Sequence, residues 1–178
     1  MDMLKIFSIA AVFSGCAALG VMSSKRLGNR MKTLEGIRSF IRRLEIEMRY
    51  AGLPVAEAMR SAGEKTAGAA RELFEGVADD LQNNSGEAIG GIFGKRLESM
   101  RKNRDIYGAL TDRDAQMLVD FSKNLGSSDW ASQKNNFEHT QKLLEEEITA
   151  AKEAFGKKSK MFRTLGVLGG LLLAVLLL

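Results

Sequence analysis

The side chains that could do chemistry are few, and their spacing does not assemble them. His139 is the single histidine, and no cysteine lies near it in the chain, Cys16 being the only one. A zinc site needs several such ligands in concert, and thiol catalysis needs a Cys/His pair, so neither is provided for. Glu145, Glu146 and Glu147 form the densest acidic run. With Lys142 and Lys152 nearby, they read as ion-pairing or solvated positions on a helix. The segment Gly90-Gly91-Ile92-Phe93-Gly94 is glycine-rich but lacks the Lys-Ser/Thr that closes a phosphate-binding loop. It falls inside a helical pattern and reads as a loosened helix. No acid, base and pocket come together. The expectation is a protein that is not an enzyme and uses neither cofactor nor metal.

Charge tells more than reactivity. The 178 residues are 27% charged and 45% apolar, with a formal net charge of +4. Lys25, Arg26, Arg30 and Lys32 follow one apolar run, and Lys152, Lys157, Lys158, Lys160 and Arg163 precede another. Basic residues at the inner ends of two hydrophobic segments are what the positive-inside rule expects, and they would face anionic lipid headgroups. A nucleic-acid surface would instead gather cations on one exposed face with aromatics among them, so no nucleic-acid partner is expected. The single cysteine permits no intramolecular disulfide, which fits a cytoplasmic domain.

The run Ile6 to Met22 is uncharged over 17 residues, close to the lower limit for a membrane span. It reads as an uncleaved anchor. A lipidation signal ending at Cys16 is the competing reading, disfavoured by Phe13 and by an n-region whose only cation is Lys5. The last 15 residues, Thr164 to Leu178, carry no charged side chain. As helix they cover about 22 Å of a hydrocarbon core near 30 Å, which Met161, Phe162 and a snorkelling Arg163 can extend. Gly166 and Gly170 stand four apart there, a small-residue face suited to close helix packing.

Between the ends, helical periodicity is continuous and strand alternation absent. Leu34, Ile37, Ile41, Leu44 and Met48 form the seam of a first helix. Pro54 suits the opening of a second on Val55, Ala58, Met59 and Ala62, ended by Gly63. A third follows on Ala70, Leu73, Phe74, Val77 and Leu81, and a fourth, capped by Ser85, on Ile89, Phe93, Leu97 and Met100. Thr111 with Asp114 makes a variant capping box for a fifth, on Leu118, Phe121 and Leu125, with Gly126 as its C-cap. The sixth starts at Ser128, turns Phe137, Leu144, Ile148, Ala151 and Phe155 inward, and runs toward the last apolar segment with Gly156 as its flex point. The fold class is therefore all-α: a six-helix antiparallel bundle over 31–160, flanked by N- and C-terminal transmembrane helices at 1–24 and 161–178. The basic flanks put the bundle in the cytoplasm.

The stretch Leu44-Glu45-x-Glu47-x-x-Tyr50, followed by Pro54 and Ala58, resembles the opening motif of the stage III sporulation protein AB family. Thr164 to Leu173 is similar to that family's final anchor, and Gln133 with the Leu143 to Glu145 stretch falls in its order, so the resemblance spans essentially the whole chain. Ala51 to Met59 also resembles the aGxPxxxAL signature of the cytoplasmic domains of type II secretion platform protein F and its pilus counterparts. The chain departs from many sporulation relatives at Ala51-Gly52-Leu53. The resemblance implies a platform subunit of the channel complex between mother cell and forespore, in the outer forespore membrane with its bundle in the mother-cell cytoplasm. Its implied partners are a stage III sporulation protein AA-like ATPase, other sporulation channel subunits and membrane lipids. An acidic surface of Glu45, Glu47 and Glu57 is the expected protein-interaction site, and Gly166 and Gly170 the expected membrane helix packing site. A platform of a type II secretion or type IV pilus system, or a lipidated extracytoplasmic binding protein, are the alternatives.

Overall fold

The computed structural model describes the backbone of residues 28–83, 86–102, 110–126 and 129–177, with side chains except at 101, 102, 159, 162, 163 and 166–177. Six helices occur among the described residues, and no strand. Helix α1 covers 28–46 and runs on into a π-helical turn, Glu47–Ala51. It is followed by α2 (Val55–Glu64), α3 (Gly68–Asn83), α4 (Ile89–Lys102), α5 (Asp112–Lys123) and α6 (Trp130–Leu177). Arg30–Thr149 forms one compact unit, and the described residues outside it belong to a second.

The apolar spacing explains the bundle. Leu34, Ile37, Phe40, Ile41 and Leu44 recur every three or four residues and all are fully buried. Phe40 stacks on Phe74 with ring centroids 3.5 Å apart, and Phe74 meets Phe93 edge-on at 5.9 Å, so one aromatic column ties α1, α3 and α4. Phe121 and Phe137 meet at 5.3 Å and join α5 to α6. Truncating any of these rings to alanine would cost about 3–5 kcal/mol. Helices α3 and α4 are also fastened by a polar contact at a glycine. Arg96 donates to the Gly76 carbonyl at 2.8 Å and pairs with Asp80 at 2.8 Å, and a Cβ on Gly76 would lie 2.7 Å from the Arg96 guanidinium carbon.

The helix ends follow local chemistry. Gly52 takes φ 62°, a left-handed conformation that closes α1. Pro54 (φ −54°) then precedes α2, and its carbonyl accepts from the Ala58 amide at 2.9 Å. The Thr111/Asp114 capping box is present in both directions at the start of α5, but the C-cap is Asn124 and not Gly126, which adopts φ 76° two residues further on. Helix α6 is capped by Asp129, whose carboxylate accepts from the amides of Ala131 and Ser132. Ser85 and Ser128, the caps expected from the sequence, lie outside the described residues.

Three expectations shift. Met48 is only partly buried, because the π turn adds a residue per hydrogen-bonded loop and moves the seam out of register. Gly63 does not end α2; it is buried within it, and the helix closes after Glu64. Helix α6 runs unbroken toward the last apolar segment, as expected, and no break marks Gly156 as a flex point. The expected first anchor, 1–24, and Cys16 lie outside the described residues. The backbone of the second is helical to Leu177, its side chains beyond 165 lying outside them. Among the described residues no helix is long and apolar enough to cross a membrane.

Candidate functional site

The motif Leu44 to Ala58 folds into the corner between α1 and α2. Leu44 and Ala58 are fully buried and hold the corner to the core. Glu45 and Glu47, two apart, face different elements. Glu45 accepts from the Gln141 side-chain amide on α6 at 2.9 Å, and Glu47 from the Ser61 hydroxyl on α2 at 2.9 Å. Local pairing with Arg42, Arg43 or Arg49 is not what they do. Arg42 donates to Gln141 at 3.2 Å, and Arg43 donates to the Lys65 carbonyl. Glu57 is exposed on the first turn of α2. Gly166 and Gly170 stand one turn apart along α6, and what they face lies outside the described residues.

The same corner carries residues whose placement the sequence reading did not single out. Tyr50 is 74% exposed and Ile46 55% exposed, the outliers among the bundle's described large apolar side chains. Arg49 lies between two rings, its guanidinium carbon 5.1 Å from the Tyr50 centroid and 5.9 Å from that of Trp130 at the start of α6. The signal available in sequence was the interruption of the α1 seam beyond Leu44, where the next seam position is Met48 and Ile46 and Tyr50 flank it on other faces.

A second arginine is built in the opposite way. Arg30, on the first turns of α1, donates to both Asp114 oxygens at 2.8 and 2.7 Å and to Glu147 at 2.6 Å. Glu147 also pairs with Arg113 at 2.9 Å, and the Thr111 amide donates to Asp114 at 2.8 Å. The Asp114 side chain has no solvent exposure and that of Arg30 is 13% exposed. Burial by itself would push the Asp114 carboxyl upward. The Arg30 hydrogen bond, the bonds with Thr111 and the Arg30 charge outweigh it and hold the group below the ordinary carboxylate range. For Arg30 the bond to Asp114 is the leading cause that tightens its proton. The acidic run of α6 is thus used across helices: Glu147 here, and Glu145 within 3.7 Å of Arg38.

These arrangements hold helices together and present a surface. His139 is exposed, and among the described residues no group of three or more His, Cys, Asp and Glu could hold a metal ion. Two open grooves lie along α1: one of about 380 Å³ is lined mostly by small residues beside Lys32 and Lys65, and one of about 400 Å³ by Glu35, Ser39, Arg38, Arg42 and Arg43. Neither brings an acid and a base together.

The sequence model of stage III sporulation protein AB matches residues 5–178. Stage III sporulation protein AB of Bacillus subtilis (strain 168) is 27% identical over 176 residues, which are 99% of this chain and 100% of that protein. No solved structure matches.

Proposed function

The chain belongs to the stage III sporulation protein AB family, and from that premise we propose that it is a structural platform subunit of the channel complex between mother cell and forespore. In this reading the apolar ends anchor it in the outer forespore membrane and the bundle works in the mother-cell cytoplasm. There it couples a stage III sporulation protein AA-like ATPase to other channel subunits. The observation that carries the reading is that the family match runs through both apolar ends as well as the bundle. The basic flanks support the orientation.

A platform transmits force between partners, so it needs a stiff body and separate contacts for each partner. The aromatic column and the arginine clamp supply stiffness. Glu57, with Glu45 and Glu47 beside the corner, is the acidic contact for the ATPase, and Gly166 and Gly170 let the last helix pack closely in the membrane. Glu45 and Glu47 also hold Gln141 and Ser61, so Glu57 is the residue whose charge can be changed without loosening the corner. Membranes of sporulating cells should yield the ATPase with the full-length chain after crosslinking, and Glu57→Lys should reduce that recovery while helicity is kept. Protease added to intact protoplasts should leave Trp130 to Lys160 uncut. Recovery of the chain without ATPase or channel subunits, or digestion from outside, would overturn the reading.

A further inference from the structure

The corner between α1, α2 and α6 carries a surface of a different character from the acidic one. Arg49 has neither a carboxylate nor a hydrogen-bond acceptor among the described residues, although Arg30, Arg38, Arg60, Arg71, Arg96 and Arg113 each pair with an acid. It is not loose, however. The Tyr50 and Trp130 rings lie 5.1 and 5.9 Å from its guanidinium carbon and hold it by cation–π attraction. That attraction uses the face of the guanidinium and leaves its N–H fork unoccupied. Ile46 stands one turn earlier on α1, 55% exposed, and Tyr50 beside Arg49 is 74% exposed. The backbone here is a π turn closed by a left-handed glycine, an irregularity that often marks functional positions in helices.

From this geometry we infer that Ile46, Arg49, Tyr50 and Trp130 form a docking site for a partner protein segment that presents a carboxylate next to an apolar side chain. Three observations select that occupant. The fork of Arg49 matches a carboxylate in two parallel hydrogen bonds, and the two rings near its guanidinium favour a position from which it can make them. Exposed Ile46 and Tyr50 supply apolar area beside it, and tryptophan, tyrosine and arginine are the residues that dominate binding energy in protein interfaces. The flanking charges argue against an anionic lipid or phosphate surface. Glu45 and Glu47 bracket Ile46 and would repel a sheet of phosphates, whereas one carboxylate seated on Arg49 is compatible with them. The site stands on the bundle's own geometry and does not depend on the channel-platform reading.

Replacing Tyr50 by the photo-crosslinker p-benzoylphenylalanine in the full-length chain, expressed in sporulating cells, tests the inference. The same replacement at Glu138, an exposed α6 residue, serves as control. Irradiation should join position 50, and not 138, to one protein segment containing Asp or Glu. Arg49→Glu should cut that product about tenfold or more, and changing the partner's carboxylate to arginine should restore it. Arg49→Gln, which removes charge without reversing it, should also lower the yield and serves if the reversal disturbs the turn. A product with lipid, with a second copy of this chain or no product above the control overturns the inference. So does a product indifferent to both Arg49 variants. If the segment is found but the ATPase and channel subunits never accompany the chain, the platform reading fails and the docking site stands.

Discussion

Arg30 and Arg49 lie on the same helix and its π-helical extension, and their surroundings are opposite. Arg30 is fully engaged as a charge: two carboxylates, one of them fully buried, take its Nε and Nη2 hydrogens, and Arg113 shares the second acid. Arg49 is held in place by rings yet left with its hydrogen-bonding edge open. A buried cation paired with two acids can only be disturbed at a cost, because removing any partner strands the remaining charge. An oriented but unsaturated cation at the surface costs the fold little and keeps its binding capacity for something else. The first arrangement belongs to stability and the second to recognition.

The sharpest way to break that contrast is at Asp114. Replacing it by alanine leaves Arg30 with Glu147 alone and removes the N3 partner of the α5 capping box. The expected loss is about 3 kcal/mol, or about 6–12 °C in the thermal midpoint for a chain of this size, read by circular dichroism on the full-length protein. An Arg30→Met, Asp114→Leu double variant should recover most of it, since a buried ion pair can be replaced by packed apolar groups at little net cost. If the double variant is as unstable as the two single changes added together, the pair is not coupled.

Acid provides a second probe of the same clamp. The Asp114 carboxyl is held below its ordinary value in the folded chain, so the unfolded chain binds that proton more tightly. The stabilisation is therefore present above the unfolded pKa of about 3.9 and is lost as the pH falls through the lower folded value. Wild type should lose stability more steeply than Asp114→Asn when denaturation midpoints are compared from pH 5 downward. Equal slopes would mean that Arg30 does not depress the carboxyl.

What the sequence disclosed about the two regions follows the range of each interaction. The Thr111/Asp114 box is legible because a cap is made within four residues, whereas the C-cap of the same helix falls on Asn124 and not on the expected Gly126. That Asp114 is also the acid for Arg30 was not legible, because the two are 84 positions apart and only the packed bundle brings them together. Phe40 is not distinguishable from Ile41 as a core residue by period alone, since a helical period leaves adjacent apolar residues ambiguous until a partner such as Phe74 is known. Periodicity carries the α1 seam on to Met48 because it cannot announce a π turn. That misregister hid the exposed Ile46, Arg49 and Tyr50. The acidic residues of the motif were visible as charges, but not the hydrogen bonds that tie Glu45 to α6 and Glu47 to α2.

Smaller effects are expected at the open corner. Gly52 has φ 62° with nothing within 4 Å of an added Cβ, so Gly52→Ala meets only the backbone penalty of the left-handed region, about 1–2 kcal/mol. Gly52→Asn should cost less, because asparagine visits that region more readily. Equal losses for the two would point to crowding at the turn instead.

The smallest change in stability is expected at Tyr50, and it is the one the contrast depends on most. Its ring is 74% exposed, so Tyr50→Ala forfeits little burial and at most an exposed cation–π contact, together no more than about 1 kcal/mol. Arg49→Gln should behave alike, since no carboxylate is stranded by it among the described residues. Thermal unfolding of both variants beside Asp114→Ala decides the matter. Near-native midpoints at 49 and 50, with a large fall at 114, would mean that the fold uses its acid-paired arginine for cohesion and leaves the open one to a partner. A fall at Tyr50 as large as that at Asp114 would make its ring a structural prop, and the exposed corner would then be part of what keeps α1, α2 and α6 together.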